Sequence, residues 1–349
     1  MNLVQKCIGY GGKLAPLVIP EGLTAGTGLM NPSIFIDNDG DILVILRHVN
    51  YTLYHSENNQ KYPSVWGPLA YLHPEKDMHL RTINYLCQLD KDLNMINHTD
   101  IDTSLLDIPP VWEFTGEEDC RLVQWDGDYY AIGVRRDLVP KNNKPGTEDP
   151  AWGEGRMELS KISLDKYNWV AKEVHRLRIP APGDDKSYCE KNWMPILDKP
   201  YHFVKWTSPT EVVRTYPKLP ARCEQVSHRK TFKLPAEQRG GTQLVPWEDK
   251  YISITHEVNL FNNYLGQKDG VYRHRLNVWD RDFNLIGFSP ENFSFLDARI
   301  EFATGAAVFE DDLLISFGFQ DNAAFVLRTP KQLIDEMIVE AMDYAKQYN

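Results

Sequence analysis

Residues 34–44 read IFIDNDGDILV, which is an apolar run, a turn of Asp, Asn and Gly, and a second apolar run. Asp-Gly and related pairs allow the positive φ that a tight hairpin turn needs, so this stretch predicts a β-hairpin. The same design returns four more times along the chain, as 122–130 LVQWDGDYY, 196–204 ILDKPYHFV, 244–253 LVPWEDKYIS and 307–316 AVFEDDLLIS. Five hairpins of one design predict radial repetition, as in a five-bladed β-propeller.

A second repeat supports this fold. The segments 89–94 LDKDLN, 164–169 LDKYNW and 279–284 WDRDFN each follow one apolar strand and precede another. Asp and Asn tolerate turn geometry, so these segments predict the outer hairpins of four-stranded blades. We therefore expect an all-β propeller over residues 1–329.

Helical periodicity is clear only at the end of the chain. From Pro330 to about Tyr348, apolar residues recur at spacings of three and four, which predicts a helix packed on the outside of the propeller. The helix forms the second predicted segment, residues 330–349. Residues 140–155, 180–187 and 217–239 are polar and are predicted to be long loops.

Charge and cysteine content narrow the class of protein. The 349 residues carry a formal net charge of −11, which argues against bulk binding of nucleic acid. The five cysteines include no CxxC pair, and a cytoplasmic protein is expected. No apolar stretch is long enough to predict a membrane span, and no metal or cofactor motif is evident, while a homo-oligomer is left open.

The start of the second hairpin is the strongest candidate for chemistry. Residues 117–121 read EEDCR, with three carboxylates and an arginine where a loop enters an inner strand. Crowded carboxylates raise one another's pKa, which suits a general acid. An exposed acidic turn is the structural alternative. Because inner strands line the axis of a propeller, side chains at this point of each hairpin are expected to converge.

Polar and cationic residues stand at the same point of the other hairpins. Arg135 and Arg136 are adjacent on one strand, so only one of them is expected to enter the pocket. Gly240 and Gly241 predict a close approach of the backbone to a ligand or a blade turn. The predicted substrate-binding residues are Asn31, Arg47, Glu118, Arg121, Glu190, Trp193, Trp206, Thr242, Tyr272 and Asp321.

These motifs, in this order over residues 28–328, resemble glycoside hydrolase family 130, the mannoside phosphorylases and their mannosyltransferase relatives. The segment Glu118-Asp119-Cys120-Arg121 matches the motif of the family's catalytic acid, with Cys120 in place of a proline, and the resemblance implies that Asp119 is the general acid. It also implies a phosphate site formed by Arg136 (or Arg135), Lys191, Lys205, His256 and Arg273.

Two departures place the chain in a divergent branch of that family. Residues 190–193, EKNW, are not the typical phosphorylase version. Asn31-Pro32 also stands where hydrolases of families 43 and 32 carry an aspartate, which argues against a mechanism with two carboxylates.

The leading hypothesis is an inverting β-mannoside phosphorylase. Asp119 would protonate the glycosidic oxygen while inorganic phosphate attacks the anomeric carbon, and Trp193, Trp206 and Tyr272 would stack on sugar rings. A second hypothesis is a glycosyltransferase that uses a sugar-phosphate or sugar-nucleotide donor. A hydrolase, with water activated by Glu190, Glu257 or Asp321, and a non-catalytic propeller that binds an oligosaccharide or glycoconjugate are further alternatives.

Overall fold

The computed structural model describes residues 1–24, 28–50, 52–55, 69–72, 80–112, 114–141, 152–183, 189–218, 221–262 and 268–348. Across these residues the protein is mostly β-strand, with a C-terminal helix, which confirms the fold prediction at this level. The division into residues 1–329 and 330–349 stays a prediction. No helix in the described part of the chain has the length and apolar character needed to cross a lipid bilayer.

The N-terminal segment contains helix α1 (Leu3–Gly9), strand β1 (Lys13–Pro16) and helical turn α2 (Glu21–Thr24). Asn2 caps α1, because its Oδ1 accepts a hydrogen bond from the Gln5 backbone N–H at 2.9 Å. The Gln5 side chain completes the capping box by accepting from the Asn2 N–H. Helix α1 was not predicted, because seven residues are too few to show a period.

The next part of the chain forms one large sheet and two separate strand pairs. It begins with β2 (Leu29–Ile36), β3 (Ile42–Val49), β4 (Thr52–His55), β5 (Leu69–Leu72), β6 (Leu80–Leu89) and β7 (Met95–Asp102). It continues with β8 (Phe114–Thr115), β9 (Glu117–Trp125), β10 (Asp128–Arg135), β11 (Pro140–Lys141), β12 (Trp152–Gly153), β13 (Arg156–Asp165) and β14 (Val170–Arg178). The pairs β4–β5 and β11–β12 each form a two-stranded sheet of their own. We name β2-β3-β6-β7 the first unit and β9-β10-β13-β14 the second; β7 and β14 pair in parallel and join them.

Three further units follow along the chain. The third is β15 (Met194–Pro195), β16 (His202–Trp206), β17 (Thr210–Tyr216) and β18 (Arg222–Arg229). The fourth is β19 (Val245–Trp247), β20 (Lys250–Asn262), β21 (Lys268–Asp280) and β22 (Leu285–Phe288). The fifth is β23 (Glu301–Phe309), β24 (Asp312–Phe319) and β25 (Ala323–Thr329), with β1 from the other end of the chain as its fourth strand.

The five predicted hairpins are confirmed. Each opens a unit with an antiparallel pair, namely β2–β3, β9–β10, β15–β16, β19–β20 and β23–β24. The predicted outer turns are confirmed as well. In the turn between β6 and β7, for example, Asp90 Oδ1 accepts hydrogen bonds from the backbone amides of Asp92 and Asn94, each at 2.9 Å. Asp280 holds the turn between β21 and β22 in the same way.

Residues 217–239 correct the sequence analysis. They were predicted to be a loop, yet β18 lies within them as the outer strand of the third unit. Its residues are almost all exposed and polar, so no apolar alternation marks the strand in the sequence. The predicted loop at 140–155 lies largely outside the described residues, as do residues 184–187 of the loop predicted at 180–187.

Gln243 links several units at the centre of the molecule. Its Nε2 donates to Ser33 Oγ at 3.0 Å and to the Leu122 carbonyl at 3.0 Å, and its Oε1 accepts from the Ala306 N–H at 2.9 Å. It is wholly buried, so these bonds satisfy an amide that has no access to water. One side chain beside β19 thus ties the fourth unit to the first, second and fifth.

The C-terminal helix α3 (Lys331–Ala345) is followed by a 3₁₀ turn (Lys346–Tyr348). One face of α3 is buried in a core cluster with apolar residues of the fourth and fifth units, and its members are Leu333, Ile334, Met337, Ile338 and Ala341. The spacing of three and four that predicted the helix is the spacing of this buried face.

Candidate active site

Two β-bulges bring a carboxylate and an amide together between the first and second units. The register of β2–β3 shifts between Met30 and Ser33, and that of β9–β10 shifts opposite Asp119. Asn31 has a φ of 45° and Asp119 a φ of 53°, in the left-handed region that Asn and Asp tolerate better than most residues. Bulges of this kind re-aim side chains next to active sites.

The Asp119 carboxylate accepts two hydrogen bonds at its Oδ1. Asn31 Nδ2 donates at 2.7 Å and Arg47 Nη1 donates at 2.8 Å. Burial alone would raise the pKa of Asp119, but the charges of Arg47 and Arg121, together with the Asn31 hydrogen bond, outweigh it and hold the pKa below its usual range. The carboxylate of the unliganded protein is therefore ionised at neutral pH.

Asp321, at the end of the fifth unit's hairpin, holds a proton more readily than Asp119 does. Burial raises its pKa to about 6, and the charges of Asp119 and Glu118 add to the rise while Arg47 opposes it. Burial raises the pKa of Tyr272 to about 12, and the negative charges of Asp321 and Asp119 add to the rise. Residues from four units therefore meet around Asp119, as the sequence analysis expected.

Glu117 does not belong to this group, although it precedes Glu118 in the chain. It is buried, and its Oε1 accepts from the Gly133 N–H at 2.9 Å. Burial, rather than the neighbouring carboxylates of the motif, is the largest cause of its raised pKa. The expectation that crowding raises the pKa of the catalytic carboxylate is therefore wrong for this motif, because the charges of Arg47 and Arg121 lower the pKa of Asp119. The bulge in β9 gives Glu117 and Asp119 different neighbours, although regular alternation would place them on one face.

Arg136 lies in the neighbourhood of Glu118, since the charges of both residues act on the pKa of Cys189. It lies over the ring of Trp112, with its Cζ 4.1 Å from the ring centroid. Its Nε and Nη2 are buried and have no hydrogen-bond partner within the described part of the chain. Arg135 instead faces a buried ion-pair network, with its Nε 2.9 Å from Glu158 Oε2. Of the two adjacent arginines, Arg136 is thus the one available to a ligand.

Lys191 and His256 extend this neighbourhood into the third and fourth units. Lys191 is exposed. Burial raises the pKa of Cys189, and the positive charges of Lys191 and Arg136 oppose this rise. His256 stacks on Tyr272, with ring centroids 5.6 Å apart. Burial is the largest cause that lowers the pKa of His256, and nearby cations including Lys191 lower it further. His256 is therefore neutral and can serve as a hydrogen-bonding group but not as a cation.

In the third unit, Lys205 is paired within the protein. Its Nζ lies 3.2 Å from Glu190 Oε1, and the Trp193 indole N–H donates to Glu190 Oε2 at 3.0 Å. Trp193 is only 1% exposed and packs in an apolar cluster, so the prediction that it stacks on a sugar ring does not fit the structure. The Trp206 indole is 42% exposed, and its predicted contact with a sugar stays a prediction.

Three more residues predicted to contact a ligand instead bond to groups inside the protein. Arg121 is buried and directs its guanidinium at backbone carbonyls, with Nη2 2.8 Å from Gly241 O. Thr242 is wholly buried, with its hydroxyl bonded inside the fourth unit. Arg273 lies on the face of β21 opposite Tyr272, and its Nη1 donates to Ala298 O at 3.1 Å. None of the three reaches a ligand in this arrangement.

The glycine pair before β19 marks a contact between units. A Cβ added to Gly240 would lie 1.8 Å from the carbonyl oxygen of Asn192 in the third unit. The close approach predicted from these glycines is therefore to backbone. Arg239, just before them, was not assigned a role from the sequence, yet its positive charge adds to the lowering of the His256 pKa and opposes the rise of the Tyr272 pKa.

Among the described residues, one cluster of carboxylates is compact enough for a metal ion, formed by Asp37, Asp39 and Asp41. Lys166 Nζ lies 2.6 to 2.7 Å from one oxygen of each, so an ammonium group already binds all three carboxylates. The cluster is in the turn between β2 and β3, at the end of the hairpin away from Asn31.

No family model matches the sequence, and no curated protein matches it. Solved structures do match in fold. A β-1,2-mannobiose phosphorylase from Listeria innocua aligns with a TM-score of 0.55 and 12% identity, over 93% of this chain and 96% of that one. A mannose phosphorylase from Leishmania mexicana, in complex with a phosphate ion, aligns with a TM-score of 0.50 and 10% identity, over 95% and 93% of the two chains.

A third match comes from glycoside hydrolase family 130. It is described among hydrolases that target β-1,2 mannosidic linkages in Candida mannan, and it aligns with a TM-score of 0.52 and 10% identity. The alignment spans 88% of this chain and 85% of that one. The resemblance inferred from sequence motifs is therefore confirmed at the level of fold, and at these identities it is the fold that is shared.

Proposed function

We propose that this protein catalyses inverting glycosyl transfer to or from phosphate, with a β-mannoside as the glycosyl compound. The observation that carries the proposal is that two guanidinium nitrogens of Arg136, Nε and Nη2, are buried and lack an acceptor in the described part of the chain. Buried donors without an acceptor are costly, and an anion such as phosphate would satisfy them. Lys191 adds a second positive charge, and Asp119 supplies the carboxylate.

In phosphorolysis, phosphate held by Arg136 and Lys191 attacks the anomeric carbon. The bond from this carbon to the glycosidic oxygen breaks, and that oxygen takes a proton from Asp119, directly or through a sugar hydroxyl. A sugar that fills the site excludes water from Asp119 and raises its pKa towards the value that an acid needs. His256 and Tyr272, stacked on each other, donate neutral hydrogen bonds beside the phosphate.

The ionised state of Asp119 favours a second candidate, which is transfer from a sugar-phosphate or sugar-nucleotide donor. The carboxylate takes the proton of an acceptor hydroxyl, whose oxygen bonds to the anomeric carbon. The phosphate group then leaves with the electron pair of the broken bond and remains bound to Arg136 and Lys191. By microscopic reversibility, the acid of phosphorolysis is the base of this reaction.

The same proposal includes the finer architecture. The five units are blades around an axis, with the candidate active site at the end where β2, β9 and β23 begin. The hydrogen bonds of Gln243 to three other units support a common axis. An experimental structure with units in another arrangement would overturn it.

The first experiment incubates the protein with β-1,2-manno-oligosaccharides, with and without phosphate, and measures mannose 1-phosphate. Product is expected only when phosphate is present, and turnover independent of phosphate would contradict the proposal. Arg136→Gln should raise KM for phosphate about tenfold or more, because a charge-assisted hydrogen bond is lost. Arg222→Gln, at an exposed position on β18, should leave KM unchanged.

The second experiment tests the carboxylate. Asp119→Asn should lower kcat by about 10²–10⁴-fold, because general acid–base catalysis contributes that much. Asp126→Asn is the matched control, since it makes the same change in the same hairpin, at the exposed turn between β9 and β10. A fully active Asp119→Asn protein would discredit the site. Mannose 1-phosphate or GDP-mannose with an acceptor panel tests the transferase reaction on the same variants.

A further inference from the structure

A concave site lies between the first and second units, and its lining residues do not include those of the candidate active site. It is a cavity of about 450 Å³, a size typical of small-molecule sites. Residues of β6 and β7 form one wall, and residues of β9, β10, β13 and β14 form the other. It faces the side of β9 that carries Glu117, whereas Asp119 faces Asn31 and Arg47.

The cavity is acidic. Two lining residues, Arg81 and Arg135, are cationic, and the guanidinium of Arg135 is already bonded to Glu158. The carboxyl-bearing residues of the lining are Asp100, Asp102, Asp107, Glu117, Asp137 and Glu173. Burial raises the pKa of Glu117 to about 8, and Glu173 Oε1 accepts from Arg176 Nε at 2.9 Å, so the excess negative charge is that of the four aspartates. An anionic ligand would meet this excess, so phosphate and other anions are disfavoured here.

Two buried acceptor atoms of the lining residues lack donors. Asp137 is 6% exposed; its Oδ2 accepts from the Gly116 N–H at 3.0 Å, while its Oδ1 has no partner within the described residues. Asn84 donates to the Glu117 carbonyl at 2.9 Å, and its own Oδ1 is likewise unpartnered there. Buried polar atoms are rarely left unsatisfied, and a ligand in the cavity that carries hydrogen-bond donors would satisfy these two.

A metal ion does not meet this need. Within the described residues, no three of the carboxylates that line the cavity have oxygens within 4.8 Å of one another. Their dispersal suits a ligand whose donors are spread over several atoms. We propose that this cavity binds a small organic molecule that carries a protonated amino group, which donates to Asp137 Oδ1.

Calorimetric titration of the intact protein tests the proposal with two sources of that group. The probes are glucosamine and 1,4-diaminobutane, with glucose as the neutral analogue of the amino sugar. At least one amine should bind saturably at a pH where it is protonated, and glucose should bind at least tenfold more weakly. The amine that binds identifies the source. No saturable binding of either amine, or equal affinity for glucose, would overturn the proposal.

Asp137→Asn should weaken amine binding about tenfold or more, since it removes the charge and keeps the shape. Asp128→Asn removes the same charge at the other end of β10, outside the cavity, and should have no effect. Asp107→Asn, at an exposed position of the lining where folding is not at stake, should weaken binding about twofold. Unchanged affinity in both Asp137→Asn and Asp107→Asn would overturn the proposal.

The two sites can be separated in one further titration. Asp119→Asn should leave the affinity for the amine unchanged, because Asp119 lies in the other site. Loss of amine binding in this variant would mean that the amine occupies the candidate active site, and the cavity proposal would fail. The proposal stands or falls independently of the phosphate assay, which does not involve the cavity.

Discussion

Glu117 is a buried carboxyl whose titration should govern part of the pH dependence of stability. Burial raises its pKa to about 8, with Arg135 opposing the rise and Glu173 and Glu158 adding to it. Its folded pKa is above its unfolded value, so the protonated form is favoured in the native state. The resulting stabilisation is full below about pH 4.5 and is lost as the pH rises towards 8.

Glu117→Gln should remove this decline, because a neutral amide cannot ionise. We expect the variant to lose less unfolding free energy than the unmodified protein between about pH 5 and pH 8, as measured by urea unfolding. Glu291→Gln, on the exposed surface, is the control and should retain the decline. A parallel decline in the Glu117→Gln protein would show that other groups are responsible.

At the scale of single residues, the sequence predicted which residues gather at the site, but not always on which face of a strand each side chain lies. Asp119, Asp321, Tyr272 and His256 were singled out, and the structure brings them together. Arg273 was wrongly placed with them. Side chains alternate along a strand, so the side on which a residue lies depends on the register, and a bulge shifts that register by one residue. Neither is visible in a single sequence.

At the scale of elements, the bulge at Asn31 has a backbone role and a chemical role that two substitutions can separate. Asn31 is buried, holds a left-handed φ of 45°, and donates to Asp119 at 2.7 Å. Asn31→Gly and Asn31→Ala both remove the donor, so both should lower kcat. Asn31→Ala should be less stable than Asn31→Gly by about 1–2 kcal/mol of unfolding free energy, since alanine resists the left-handed conformation that glycine adopts readily.

Enzyme kinetics and urea unfolding on the same preparations give both quantities. An Asn31→Gly protein with unchanged kcat would show that the hydrogen bond to Asp119 is dispensable. Equal stability of the two variants would contradict the strain argument.

The elements with strong local signals were predictable. Hairpins with Asp-Gly turns and the helix α3 follow from turn chemistry and periodicity, which act over a few residues. Strand β18 was not predictable, because a solvent-exposed outer strand needs no apolar face and is held by its neighbour β17. The site lies at the bulges, where a regular pattern is interrupted.

At the scale of the whole molecule, the chain closes on itself. Strand β1, near the N-terminus, completes the fifth unit by pairing with β25 near the C-terminus, from Lys13 opposite Arg328 to Pro16 opposite Phe325. The segment continues to Leu17, which packs in an apolar cluster with residues of the first unit such as Ile34 and Val44. The N-terminal segment thus connects the fifth unit to the first.

This pairing should make unfolding cooperative across units, because release of β1 and Leu17 uncovers apolar residues of both the first unit and the fifth. Leu17 is 4% exposed, and Leu17→Ala should cost about 2–5 kcal/mol of unfolding free energy. The next residue, Val18, is 65% exposed, and Val18→Ala should cost less than about 0.5 kcal/mol. Far-UV circular dichroism and the fluorescence of the buried tryptophans should report one transition, shifted to lower urea concentration only in Leu17→Ala. Early loss of fluorescence at constant circular dichroism would indicate that the units unfold separately and that closure by β1 does not couple them.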